Sequence, residues 1–129
     1  MLHVPQRFGN DCGLATASMV SATSYRIVTA IFSRLALLDK GLGAVEMRKL
    51  LEVTTRSPWH MSWPCGLARV CNFKLLAGPA ALLIEGENYQ HWVAINDGIV
   101  HDPAFPEAVT VDQYRRNQWT VNAFLRQGW

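Results

Sequence analysis

Gln6-Arg7-Phe8-Gly9-Asn10-Asp11-Cys12-Gly13-Leu14-Ala15-Thr16-Ala17-Ser18-Met19 is the stretch on which the fold turns. Gly9-Asn10 marks a turn. Asn10 or Asp11 is a natural N-cap for a helix expected from about Cys12 to Ala22. That helix is rich in Ala15, Ala17, Ser18 and other small residues, which let a helix approach its neighbours closely and suit a central, buried position. A cysteine at such a helix start lies at the positive end of the macrodipole, where thiolate is favoured over thiol. Gln6, six residues upstream, is placed to aim its amide at an oxyanion forming beside that sulfur. The plainer alternative is that Cys12 is a small buried hydrophobe, as free cysteines often are, and Gln6 a surface loop residue.

Outward from this stretch, residues 1–11 read as an extended arm and loop, with Pro5 opposing helix. Downstream, Thr23 or Ser24 caps a second helix, about Tyr25 to Asp39, with Ile27, Ile31, Leu35 and Leu38 at helical spacing and Gly41 as its C′ residue. A third short helix is expected from about Ala44 to Val53, with Met47, Leu50, Leu51 and Thr54 on one side. Trp59, His60, Met61, Trp63 and Pro64 form an aromatic-rich loop or short strand. They read as a lid over the core or as part of a substrate groove near Trp59, Trp63 and Trp92. Gly66 to Phe73 is compatible with a short helix.

The second half changes character. Ala80-Ala81-Leu82-Leu83-Ile84 reads as a buried strand, Glu85 to Gln90 as a polar turn, and His91-Trp92-Val93-Ala94-Ile95 as the next strand. Asp97-Gly98 is a hairpin signal, and Ile99-Val100-His101 returns to end at Asp102-Pro103. Val109-Thr110-Val111 leads into an expected short helix near Asp112 to Asn117. A last strand follows from Trp119 to Leu125, with Trp119, Val121 and Ala123 alternating. Helices first and an antiparallel meander second is the α+β pattern.

The 129 residues suit one domain, 1–129, and the half that are hydrophobic can supply its core. The net charge of +2 is small and its basic residues are scattered, a poor footprint for nucleic acid, so no such binding is expected. Cys12, Cys65 and Cys71 are an odd count without a Cys-x-x-Cys pair, which disfavours a disulfide framework and fits a reducing compartment. Cys65, Cys71, His60 and His101 match no common zinc module, so no metal or cofactor is expected. The N-terminal residues lack the pattern of a signal peptide, and no apolar run reaches membrane-spanning length. A cytoplasmic protein, or one delivered into another cell, is the resulting expectation.

His91 and Asp102 are joined by the expected hairpin. One opens the first strand and the other follows the second, so both come to the same sheet edge. A carboxylate on one ring nitrogen fixes the imidazole tautomer and leaves the other nitrogen free to exchange a proton. If the central helix brings Cys12 to that edge, a nucleophile, a base and an orienting group meet. His101, next to Asp102, alternates to the other face and reads as surface or packing.

This series resembles the papain-like cysteine peptidases, and among them the bacteriocin-processing domains that cleave double-glycine leader peptides, with their stand-alone relatives. The matching residues are Gln6, Asp11-Cys12-Gly13-Leu14-Ala15, Gly78-Pro79-Ala80, His91-Trp92-Val93-Ala94-Ile95 and His101-Asp102-Pro103-Ala104. The resemblance implies a central cysteine-bearing helix packed on a C-terminal antiparallel sheet. It implies Cys12 as nucleophile, His91 as general base, Asp102 as its orienting residue and Gln6 as an oxyanion donor. The implied reaction is hydrolysis of a peptide or isopeptide bond, in a peptide or protein substrate, through a thioester on Cys12. Two alternatives stand beside it. The same site can serve a glutamine deamidase or transglutaminase, in a toxin, effector or phage factor, or the fold can be a non-catalytic binding module.

Overall fold

The computed structural model describes residues 1–6, 11–35, 42–64, 68–87 and 89–128. Among them the chain forms three α-helices and then a mostly β half: α1 (Cys12–Ser21), α2 (Tyr25–Arg34), α3 (Ala44–Thr55), β1 (Trp59–Ser62), a 3₁₀ turn (Val70–Phe73), β2 (Pro79–Gly86), β3 (Tyr89–Asn96), β4 (Ile99–His101), β5 (Val109–Thr110) and β6 (Thr120–Gln127). The fold class is α+β, as the order of elements suggested. All strand pairs are antiparallel, in the order β1-β6-β2-β3-β4-β5. The meander therefore covers only β2 to β5. β6 crosses back to insert between β1 and β2, a non-local pairing that local patterning does not encode.

α1 is buried nearly all round: Gly13 and Ala15 to Val20 are all in the interior. It packs on the face of the sheet that carries Ala81, Leu83, Trp92 and Ala94, together with α2 and α3. The opposite face of the same strands presents Ala80, Leu82, Ile84, Val93 and Ile95 to a second core, closed by Val70, Val111 and Tyr114. Period-two alternation along β2 and β3 separates these two cores, and both strands are buried through their centres because both faces are covered. Among the described residues no helix is long and apolar enough to cross a membrane.

Several local expectations are met, with longer boundaries for the strands. Asp97 and Gly98 both have positive φ, 51° and 80°, and join β3 to β4 as a two-residue hairpin loop. Ser24 caps α2 by accepting from the Ile27 amide. The polar turn after β2 is tighter than expected. Glu85 pairs with Gln90 and Gly86 with Tyr89, so both strands run almost to the loop tip.

Other expectations are corrected. The fully buried anchor of α2 is Val28, whereas Ile27 is exposed; Ile31 and Leu35 of the expected stripe do pack on the first core. The 112–117 segment is a run of turns rather than a helix, closed by amide bonds such as Asn117 to Tyr114 and Trp119 to Arg116. It turns because Tyr114 and Arg116 must both reach inward, as described below. Val121 and Ala123 lie on opposite faces of the sheet, in the second and first cores respectively. A β-bulge against Leu83/Ile84 inserts Asn122 and flips the alternation there. The Gly66 to Phe73 helix shrinks to the 3₁₀ turn in its described part. The expectations for Asn10, Leu38, Gly41, Cys65 and Gly66 lie outside the described residues.

Gly86 makes a close contact that matters at the tip of the β2-β3 hairpin. A Cβ there would stand 2.6 Å from the Trp119 ring. Gly86→Ala is expected to destabilise the fold by about 1–3 kcal/mol, the usual cost of overpacking against a rigid ring. The cost should fall when combined with Trp119→Ala. Urea denaturation of the two single variants and the double variant measures this coupling, and additive effects would show that the ring is not what the Cβ meets.

Candidate active site

Cys12 is the first residue of α1, and Asp11 occupies the N-cap position. Asp11 does not cap the helix through its side chain; its carboxylate instead accepts from the Tyr25 hydroxyl on α2 at 2.5 Å. That bond ties the start of the cysteine helix to the second helix. Cys12 is half-buried and not in a disulfide.

His91 lies near the start of β3 and is fully buried. Its Nε2 donates to Asp102 Oδ1 at 2.5 Å. Asp102 follows β4 directly, so the hairpin brings the two residues together as its geometry suggested. Cys12 lies close enough to the imidazole to raise its pKa, and because Nε2 is engaged by Asp102, Nδ1 is the ring nitrogen left for other partners. Cys12, His91 and Asp102 thus come to one neighbourhood, where the helix start meets the sheet. Gln6 reaches the same neighbourhood: its backbone N–H donates to Pro103 O at 2.8 Å, which lays the N-terminal arm along the segment after Asp102.

Asp102 is the most heavily engaged group of the site. Besides His91, the Tyr114 hydroxyl donates to its Oδ2 at 2.5 Å, the Arg116 guanidinium to Oδ2 at 3.0 Å, and the Ala104 amide to Oδ1 at 2.8 Å. Arg116 is itself stacked among aromatic rings, with its guanidinium carbon 4.7 Å from the centre of Trp119, 5.0 Å from Phe105 and 5.8 Å from Tyr89. Such cation–π contacts hold a partly buried cation without a second carboxylate.

The charges follow from these contacts. Burial pulls the His91 pKa down, but the bonds and charges of Asp102 and Cys12 outweigh it and raise it from 6.5 to about 9. His91 is therefore an imidazolium at neutral pH and donates from both ring nitrogens. Burial pushes Asp102 up, and the bonds from His91, Tyr114 and Ala104 reverse this, holding it below its ordinary value. Burial first, then the Asp102 carboxylate, raises the Tyr114 phenol, which stays a neutral donor. His101 is a different case. Its burial, and then His3 with rings 5.5 Å apart, lower it to about 4, so it is a neutral packing residue on the far side of β4.

Among the described residues Trp59, Trp63 and Trp92 do not line a common groove, and Trp59 takes the alternative of packing on the core. Trp59 is buried in the first core with its indole N–H on Thr55 Oγ1 at 2.9 Å, and Trp92 is buried with its N–H on Leu42 O at 2.6 Å. Only Trp63 of the three is exposed, at 56%, just past the edge strand β1. The aromatic side chains beside the site are instead Tyr89, Phe105 and Trp119. Tyr89, Tyr114 and Arg116 were not singled out in the sequence. Tyr89 carried a readable signal, because it lies two residues before His91 on one strand face. Tyr114 and Arg116 carried none, since they reach Asp102 from irregular turns. Among the described residues no cluster of three metal-ligating side chains is found.

Two outcomes follow for this network. In a histidine NMR titration His91 should show a midpoint near about 9. In Asp102→Asn it should drop, because the lowering effect of burial loses its main opponent. The stability contributed by protonated His91 is complete below 6.5 and is lost as pH rises through about 9. Denaturation midpoints across that range should fall in the wild-type protein and flatten in the Asn variant. Separately, Tyr114→Phe removes a buried donor to a carboxylate and should cost about 1.5–3 kcal/mol in urea denaturation; a cost near zero would mean that Arg116 alone suffices.

No protein-family model matches the chain and no curated protein matches it, so the functional reading rests on the geometry of this site.

Proposed function

We propose that the protein is a papain-like cysteine peptidase that hydrolyses a peptide or isopeptide bond through a thioester on Cys12. The observation that carries this reading is the grouping of Cys12, His91 and Asp102, in which a cysteine at a helix N-terminus acts electrostatically on a buried imidazolium held by a carboxylate. These are the groups that acyl transfer requires, in the order it requires them. The Cys12 sulfur attacks the carbonyl carbon. The proton on His91 Nδ1 passes to the leaving amine, and the acyl group remains on sulfur. Neutral His91 then receives the proton released as the water oxygen attacks the thioester. The C–S bond breaks, the acid product leaves, and Cys12 and His91 return to their starting state.

Asp102 keeps its charge throughout and holds Nε2, so that Nδ1 is the nitrogen that exchanges protons. The Cys12 backbone N–H, at an unpaired helix start, and the Gln6 amide are the groups assigned to the carbonyl oxygen as it becomes an oxyanion. No metal or cofactor enters these steps.

Iodoacetamide labelling at neutral pH, read by peptide mass spectrometry, tests the reading without a substrate. Cys12 should react at least about 10-fold faster than Cys71, as a sulfur activated by a neighbouring imidazole does. His91→Ala should remove that advantage. Equal rates for the two cysteines in the folded protein would refute the assignment. Proteins trapped by Cys12→Ala are then incubated with the wild-type protein, and intact-mass analysis separates proteolysis, which gives fragments, from deamidation, which adds about 1 Da per site by exchange of NH₂ for OH.

A further inference from the structure

We infer that Tyr89 is a further catalytic residue, whose hydroxyl carries protons between His91 Nδ1 and the attacking water. The inference rests on the reading of Cys12 and His91 given above. Three observations point to it. The Tyr89 hydroxyl lies 3.3 Å from His91 Nδ1, the ring nitrogen that Asp102 does not engage. The tyrosine ring stacks on the imidazole, with planes 22° apart and centroids 5.6 Å apart, so it covers the imidazole rather than merely approaching it. His91 is fully buried, whereas Tyr89 is 44% exposed. Tyr89 therefore joins a reacting atom that water does not touch to the solvent that must supply the second substrate.

The packing holds that hydroxyl in place. Tyr89 opens β3 and pairs with Gly86 across the hairpin. Its ring meets the edge of Trp119 at 6.1 Å and lies under the Arg116 guanidinium at 5.8 Å. Burial, and then the Cys12 charge, raise the phenol above its ordinary value of 10.0, so it is a neutral hydroxyl at any pH where His91 changes state. A neutral hydroxyl can accept one proton and release another in the same step, which a phenolate or a phenyl ring cannot do.

The step balances as follows. In the acyl-enzyme His91 is neutral and Nδ1 has a free lone pair. Water attacks the thioester carbon and gives a proton to the Tyr89 oxygen. Tyr89 gives its own proton to Nδ1, and its hydroxyl is regenerated. The tetrahedral adduct then expels the Cys12 sulfur as thiolate and leaves the carboxylic acid, which ionises to solvent. His91 is again the imidazolium, and no oxidant or other reactant is consumed.

The test uses p-nitrophenyl acetate as the acyl donor. Its leaving group departs as an anion without needing a proton, so acylation and deacylation separate as a burst and a steady state. Cys12→Ala supplies the background from other nucleophiles. Three chains are compared: wild type, Tyr89→Phe and Tyr89→Ala. In Tyr89→Phe the ring still covers Nδ1 but cannot pass a proton, and deacylation should fall by about 100-fold, the low end of acid–base contributions. In Tyr89→Ala the cover is gone and water reaches Nδ1 directly, so deacylation should recover to within about 10-fold of wild type, the loss of one ordering hydrogen bond.

The rank order wild type, then Ala, then Phe supports the proton relay. A deacylation rate in Tyr89→Phe equal to or above wild type overturns it, because the hydroxyl is then dispensable. A rank order with Ala below Phe also overturns it, because the ring then acts only by packing. Absence of a Cys12-dependent burst in the wild type is a different failure and removes the peptidase reading itself.

Discussion

A buried carboxylate governs the irregular half of this protein. Asp102 is almost fully withdrawn from water, and an ionised carboxylate without partners would cost several kcal/mol there. Four donors offset that cost: His91 from β3, the Ala104 amide from the adjacent turn, and Tyr114 and Arg116 from the turns beyond β5. The segment from Pro103 to Trp119 has little regular structure, apart from the short strand β5. Its path is defined in large part by the need to bring those donors to one anion. Arg116 is fixed in turn by the rings of Trp119, Phe105 and Tyr89, so the clamp on Asp102 reaches outward to the hairpin tip.

The same anion sets the state of the imidazole. Burial alone would leave His91 neutral. The Asp102 bond, aided by Cys12, wins over burial and makes it a cation at neutral pH. One interaction therefore serves both the fold and the chemistry proposed for it. Loss of Asp102 would strand a buried imidazole, a phenol, a guanidinium and a backbone amide together, which is why packing and electrostatics are inseparable here.

Much of the scaffold was legible because its signals are local. The small residues of α1, the Ser24 cap, and Asp97-Gly98 each act within a few residues, and each is found where its physics places it. The hairpin then brought His91 to Asp102 without any tertiary assumption. The errors share a cause. Ile27 and Val28 are adjacent, and choosing between them needs the direction from which α1 and α3 approach. The split of Val121 and Ala123 between two cores depends on a bulge created by the partner strand. Trp59 and Trp92 read as groove residues because aromatic content does not reveal which face a strand turns to a helix layer.

The sequence by itself determined the order helices-then-sheet, the helix start at Cys12, and the His91-Asp102 hairpin. Caps, turn types and hydrophobic period are properties of neighbouring residues. Only the tertiary structure decided that β6 enters between β1 and β2, that Cys12 meets His91, and that Tyr114, Arg116 and Tyr89 close around the site. Those contacts join residues far apart in the chain or held by irregular turns. They are selected by the cost of leaving a charge or a strand edge without partners, which no short stretch of sequence displays.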